Sequence, residues 1–163
     1  ARYHQTHLTR SFREWAVPGE DLPVFETPLG RIGLLLGYDT VFPEPATVLA
    51  RRGAEVIVHP TCWRLAWEPS LAICERASEN RVSILSAARW DSPVNRGGMI
   101  NAMSLSRPLR AADLNPIWPV EAPRDRELHV IAEVHPARSR NKDLIGFDLQ
   151  WGRRHELYEA LVR

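Results

Sequence analysis

Lysine is almost missing from this chain: of its 21 basic residues, Lys142 is the single lysine and the others are arginine. Arginine keeps its proton in proteins, so a mechanism that needs a tunable amine has only Lys142 or the amino terminus to draw on. Cysteine is scarce too. Cys62 and Cys74 are too few for a disulfide framework and lack the spacing of a four-ligand zinc site. No apolar run approaches the roughly 18 residues a membrane-crossing helix needs, and the first residues show no signal-peptide pattern. Net charge is small as well: 21 basic against 20 acidic residues leave +1, so no long-range attraction to nucleic acid is implied. Together these absences point to a soluble cytoplasmic protein without a nucleic-acid or membrane partner.

What is present is enough for a core. A length of 163 residues corresponds to about one domain, 44% of them are hydrophobic, six are tryptophan, and no polar low-complexity tract interrupts them. The chain opens at Ala1 without a methionine, and its first residues read like the middle of a longer sequence, so a fragment or a processed chain is expected.

The hydrophobic pattern is that of an α/β protein. Residues 22–26 form a short β-rich stretch before the turn signal Thr27-Pro28-Leu29-Gly30, and 31–39 are a nearly continuous apolar run expected to be a strand buried on both faces. Pro43 and Pro45 suit the first turn of a helix that passes Val48, Leu49 and Ala50 and stops at Gly53. A strand follows over 55–59, ended by Pro60. A helix over about 69–81 would place Leu71, Cys74 and Ala77 on one face, and another strand covers 82–87. Strand, helix, strand, helix, strand over 31–87 is the α/β signature. Beyond it, alternation predicts strands over 99–105 and 127–134, prolines limit 106–126 to short edge pieces, and 156–162 reads as a short amphipathic helix joining Leu157, Tyr158, Leu161 and Val162.

Several separated motifs then converge. Tyr3-His4-Gln5-Thr6-His7-Leu8 is followed by Pro18-Gly19, by Val24-Phe25-Glu26-Thr27-Pro28-Leu29-Gly30-Arg31-Ile32-Gly33, and by Gly37-Tyr38-Asp39-Thr40-Val41-Phe42-Pro43-Glu44. Next come Leu49-Ala50-Arg51-Arg52-Gly53-Ala54, Pro60-Thr61-Cys62-Trp63, Arg76-Ala77-Ser78-Glu79-Asn80 and, near the end, Arg153-Arg154-His155-Glu156-Leu157-Tyr158. In order, spacing and identity this set resembles the nitrilase, or carbon–nitrogen hydrolase, superfamily. The resemblance covers residues 1–163 as the later part of one domain, with no counterpart here for the family's opening strands and helix. It implies an α-β-β-α sandwich with its N-terminal part missing. It also implies chemistry by a Cys nucleophile, a Glu base and a Lys on amides, nitriles or carbamoyl compounds, with no cofactor or metal. In such chemistry a thiolate attacks an electron-poor carbon, a carboxylate moves the proton, and a cation with a backbone N–H stabilises the oxyanion.

The departures from the family pattern fall on the reacting groups. The family's lysine position in Tyr-x-Lys-x-His-Leu is Gln5 here, the cysteine position before the aromatic-Asp pair is Gly37, and the first catalytic glutamate would lie upstream. Glycine accepts the strained backbone of a strand-to-helix turn without a Cβ clash, so the fold can survive while the sulfur is lost. Taken without the family context, Gly37 is simply a glycine at a strand end where backbones approach closely. Gln5 can donate a neutral hydrogen bond but brings no positive charge to an oxyanion.

Other candidates are weaker. Glu14, four residues before Pro18-Gly19, matches a second, substrate-positioning glutamate of many members, although an acid there is more often a solvated loop residue. Tyr38, His59, Cys62 and Trp63 would border the substrate pocket. Cys62 stands three residues after His59, so a Cys–His pair is conceivable, although a free cysteine is more often an inert small residue. Trp63, Trp67 and Trp90 could line the pocket or pack in the core, Cys74 reads as core, and His4 and His7 lack a third metal ligand nearby. Three functions remain open: a catalytically silent domain with a structural or regulatory role, an enzyme of altered chemistry using Glu14 or Cys62, and a small-molecule binding module. The expected partners are an amide or nitrile, the missing N-terminal segment or a homologous domain, and a second copy in a homo-oligomer.

Overall fold

The computed structural model describes residues 2–62, 71–88, 131–144 and 146–161. Strand β1 (Val24–Thr27) turns directly into β2 (Gly30–Leu34), and the two pair antiparallel with Thr27 opposite Gly30. The turn is closed by the Thr27 hydroxyl, which donates to the Gly30 carbonyl at 2.7 Å and accepts from the Leu29 N–H at 3.1 Å. Helix α1 (Pro43–Arg51) then leads to β3 (Val56–Thr61), and helix α2 (Ile73–Asn80) to β4 (Ser83–Ala88). Strands β2, β3 and β4 are parallel, so the sheet runs β1-β2-β3-β4 with one helix in each crossover.

The two helices pack on one face of this sheet. Leu49, Ala50, Ile73 and Ala77 meet Leu35, Ile57, Val82 and Ile84 in a single buried cluster. Residues two apart on a strand share a face, so His59 and Ser86 lie on the helix side with Ile57 and Ile84. Ile32, Leu34, Val58 and Leu85 face the other way and are half-buried. Among the described residues no helix is long and apolar enough to cross a membrane.

Local sequence accounts for the helix ends. Pro43 occupies the first turn of α1, where its missing N–H costs nothing. Gly53 ends the helix at φ +91°, donating to the Ala50 carbonyl while the Ala54 N–H reaches Leu49, a glycine-terminated C-cap. At the end of α2 the left-handed residue is Arg81, φ +47°, with its side chain buried and its Nε donating to the Asn141 carbonyl. Lys142 completes that cap: its ammonium donates to the carbonyls of Asn80 at 3.0 Å and Arg81 at 3.1 Å. The sole lysine is thus a helix cap, placed where the helix dipole favours a cation. Glu55, fully buried at the start of β3, accepts from Arg140 Nε at 2.5 Å and the Arg31 N–H at 3.1 Å, with Arg31 Nε at 3.6 Å. Burial alone would raise its pKa, but these donors and the two guanidinium charges hold it below the usual carboxylate range.

The structure departs from the sequence expectations at five places. The apolar run over 31–39 is not one strand; β2 stops at Leu34 and Gly37–Val41 form a 3₁₀ turn, because Gly37 reverses the backbone and Asp39 captures the Leu36 N–H. Strand β3 continues through Pro60 to Thr61; β2 pairs with it only as far as Val58, so the missing proline N–H removes no ladder bond. Helix α2 buries Ile73, Ala77 and Asn80, not the Leu71-Cys74-Ala77 stripe; Leu71 is 65% exposed, and Cys74 is half-buried against the core cluster. No strand forms over 131–134, where Ile131 stands 97% exposed. In place of a terminal amphipathic helix there are two 3₁₀ turns, His155–Leu157 and Glu159–Leu161, whose leucines are exposed. A segment that short needs a packing surface to become a helix, and among the described residues Leu157 and Leu161 bury against none. A two-stranded ribbon of β5 (Asp143–Leu144) and β6 (Phe147–Asp148) precedes them. The predicted strand over 99–105, the proline-rich stretch 106–126 and residues 127–130 lie outside the described residues.

Candidate functional site

The site lies just past the C-terminal ends of the parallel strands, where β2 gives way to the Gly37–Val41 turn. Gly37 has φ +43°, in the left-handed region that L-residues occupy at a cost of roughly 1–2 kcal/mol. A Cβ placed on it would meet a single neighbour within 4 Å, the Gln5 side-chain Nε2 at 3.7 Å. Positions 5 and 37, far apart in sequence, are therefore side by side, and among the described residues nothing else comes within 4 Å of the missing side chain. The Gln5 amide donates to the His7 carbonyl at 3.0 Å, which fixes its direction.

Asp39 holds the two segments together. Its carboxylate is fully buried and accepts, on Oδ1, from the Thr6 N–H (3.1 Å), the Thr6 hydroxyl (2.9 Å) and the His7 N–H (2.8 Å). Oδ2 accepts from the Tyr3 hydroxyl at 2.8 Å and the Leu36 N–H at 3.0 Å, and His7 Nδ1 lies 3.2 Å from Oδ1. Burial and the adjacent Asp39 charge push the Tyr3 phenol well above its ordinary pKa, so it stays a donor. On the other side of residues 3–7, the Gly19 N–H donates to the Gln5 carbonyl at 2.8 Å. A Cβ on Gly19 would collide with the His4 carbonyl oxygen, which explains the Pro18-Gly19 pair.

Beneath the turn sits His59, fully buried. Its Nε2 is 3.1 Å from the Gly37 carbonyl and 3.3 Å from the Thr40 hydroxyl, and its Nδ1 is 3.1 Å from Ser86 Oγ. Burial lowers its pKa to about 4, so the ring is neutral at pH 7. A carbonyl can only accept, so the proton belongs on Nε2, donated to Gly37, while Nδ1 accepts from Ser86. The Thr40 hydroxyl donates to the same carbonyl at 3.1 Å. Two donors thus pin the Gly37 carbonyl downward and hold the left-handed bend.

The other residues singled out in the sequence are placed as follows. Tyr38 is half-buried and meets Phe42 edge-on at 5.5 Å, and Phe42 stacks on His7 at 4.5 Å. His59 was expected on the substrate face; instead it is sealed under the turn, because both ring nitrogens serve backbone and hydroxyl partners. Cys62 is exposed, and no Cys–His pair forms with that enclosed ring. Glu14 is exposed, and among the described residues its carboxylate has no hydrogen-bond or ion-pair partner. His4 is exposed. Trp63, Trp67 and Trp90 lie outside the described residues. Sequence reasoning named Gln5 and Gly37 but gave no role to Asp39, Thr40 or Ser86. Asp39 carried a signal, standing beside Tyr38 in a quoted motif; Ser86 was findable only through its register opposite His59.

Comparison with known proteins decides the family. The carbon–nitrogen hydrolase family profile matches residues 1–99, more than half of the chain. The chain belongs to the carbon–nitrogen hydrolase family. A probable nitrilase of Schizosaccharomyces pombe is 35% identical over 89 residues, which cover 53% of this chain and 33% of that protein. A deaminated glutathione amidase of Yersinia enterocolitica is 39% identical over 77 residues, covering 44% of this chain and 26% of that one, and the human omega-amidase NIT2 is 35% identical over 74 residues, covering 44% and 27%. The chain therefore spans about a third of the length of the curated relatives it matches. Among solved structures, the NitN amidase of Nesterenkonia sp. AN1 superposes with a TM-score of 0.68 at 22% identity, over 99% of this chain and 58% of that one. The described sheet with its helix layer is thus part of a nitrilase-superfamily fold, as the motifs implied.

Proposed function

We propose that this chain is a carbon–nitrogen hydrolase domain that is catalytically silent as it stands and acts as a structural or regulatory partner. The observation that carries this reading is the missing side chain at Gly37: its bend and the donors that fix it are present, but no nucleophilic atom projects from it. The group facing it, Gln5, is a neutral amide where the family pattern has a lysine. Loss of a nucleophile from such a set typically costs on the order of 10⁶ in turnover, or about 8 kcal/mol of barrier. Neither stand-in compensates. Among the described residues Glu14 is an exposed acid with no positioning partner and Cys62 has no base at hand, since the nearby imidazole in sequence is enclosed and committed. In this reading the domain works in the cytoplasm beside an intact homologous domain, the remainder of its own polypeptide, or a second copy.

The test is ammonia release and hydroxylamine trapping across small amides, nitriles and carbamoyl compounds. The purified chain is expected to stay at background. Turnover well above background that survives Cys62→Ala and Glu14→Gln would overturn the proposal, and turnover abolished by either change would move the assignment to an enzyme of altered chemistry.

A further inference from the structure

A second concave site lies at the opposite end of the sheet. Gly37 follows the C-terminal end of β2, whereas Arg31 stands near its start and Glu55 just before β3. There the end of α1, the Pro136–Arg140 turn and Lys142, Asp148, Gln150 and Trp151 border a cleft of about 410 Å³.

The lining is strongly biased in charge. Arg31, Arg51, Arg140 and Lys142 all border the cleft, against one lining carboxylate, Asp148. Buried Glu55 beneath them engages Arg140 and Arg31 and Glu26 also acts on Arg140, so among the described residues the lining cations still outnumber the acids, and Arg51 meets no carboxylate, its Nη1 lying 2.7 Å from His155 Nε2. Asp148 is turned toward the backbone, its Oδ1 accepting from the N–H groups of Gln150 and Trp151. Lys142 reports the same field: burial first, then repulsion from Arg81 and Arg31, lowers its pKa to about 8.

The second observation is independent of charge. Ser139, 1% exposed, lines this cleft, and its hydroxyl has no hydrogen-bond partner among the described residues. The Gln150 side chain lines it too, and its amide oxygen and amide nitrogen are both buried and have no hydrogen-bond partner among the described residues. Buried polar atoms are nearly always paired, so two orphaned side chains on one cleft mark a place where a partner is expected. A hydroxyl, an amide and guanidinium forks are the donor set that recognises an oxyanion.

We propose that this cleft binds a small molecule through an oxyanion group, a phosphate or a carboxylate, held by Arg31, Arg51, Ser139 and Gln150. The site is separate from the Gly37 turn and stands whether or not that turn is catalytically silent.

Calorimetric titration of the full chain with inorganic phosphate and, separately, with succinate tests it, at matched ionic strength against chloride. Saturable binding of one of the two is expected, weakened at least fivefold by Arg51→Gln and by Ser139→Ala. Ser139→Ala breaks no existing hydrogen bond, so it should melt with the parent and remains decisive if Arg51→Gln folds poorly. Binding of phosphate alone assigns a phosphorylated ligand, binding of succinate alone a carboxylated one. Saturation by neither, or binding that Ser139→Ala leaves unchanged, would refute the proposal.

Discussion

Replacing Asp39 by alanine removes the acceptor that joins the residue 3–7 segment to the Gly37 turn. Three backbone N–H groups, of Thr6, His7 and Leu36, lose their partner, together with the Tyr3 and Thr6 hydroxyls. The hydroxyls can rotate toward water or a neighbour, but the three amides cannot. Each buried donor left unpaired costs about 1–3 kcal/mol, and loss of the favourable charge–dipole contacts acts in the same direction. The desolvation cost of the buried carboxylate, which the alanine variant no longer carries, offsets part of this. A net loss of about 4 kcal/mol is expected, which for a chain of this size lowers the melting temperature by roughly 8–16 °C. Urea denaturation measures the loss directly. Tyr3→Phe, which deletes one of the contacts and leaves the amides satisfied, should cost only about 1 kcal/mol. Hydrogen exchange supplies the local readout: the amides of Thr6, His7 and Leu36 should lose protection in the alanine variant and keep it in the phenylalanine one. A loss below about 1 kcal/mol for Asp39→Ala, or unchanged exchange at those amides, would show that the carboxylate is not what clamps the two segments.

Two further outcomes follow from the same geometry. Gly37→Ala meets only backbone strain, because its Cβ has open space, and should cost about 1 kcal/mol, whereas Gly19→Ala drives a methyl into the His4 carbonyl and should cost more than about 2; a reversed order in denaturant midpoints would contradict the packing described. His59 has its pKa lowered to about 4 from 6.5, so the unfolded chain binds more protons across that interval and stability must rise with pH through it. About 3 kcal/mol of stability should be fully present above pH 6.5 and disappear progressively toward pH 4, and His59→Gln should flatten that segment of the curve; an unchanged slope in the variant would sink the assignment.

The parts of the fold legible in the sequence are those fixed by local chemistry. Pro43 and Gly53 bracket α1 as their backbone preferences require, and the β2-α1-β3-α2-β4 alternation follows the apolar pattern. The pairing of Gln5 with Gly37 was legible only through motif resemblance, since nothing in periodicity brings two residues so far apart into contact. The motif placed Asp39 beside Tyr38 but gave it no role, because half of its contacts are to backbone amides, which carry no sequence signal. The failures share a cause as well. The run over 31–39 is a nearly continuous apolar stretch, so periodicity could not reveal that a glycine and a captured amide would end the strand at Leu34. Leu71 and the leucines of 157 and 161 have the spacing of a buried stripe but find no surface to cover among the described residues, and spacing cannot report the absence of a partner. The Glu55–Arg140 pair, 85 residues apart, lay beyond any local rule.

Lys142 gives its nitrogen to the last carbonyls of α2, and no other side chain within these 163 residues carries a primary amine. Reagents and conjugating enzymes that acylate such groups would therefore find a single side-chain target, already occupied, whose capture would fray the helix it closes. Labelling, cross-linking and immobilisation of this molecule are better directed to the thiol of Cys62, which stands in the open and has no part in holding the fold together.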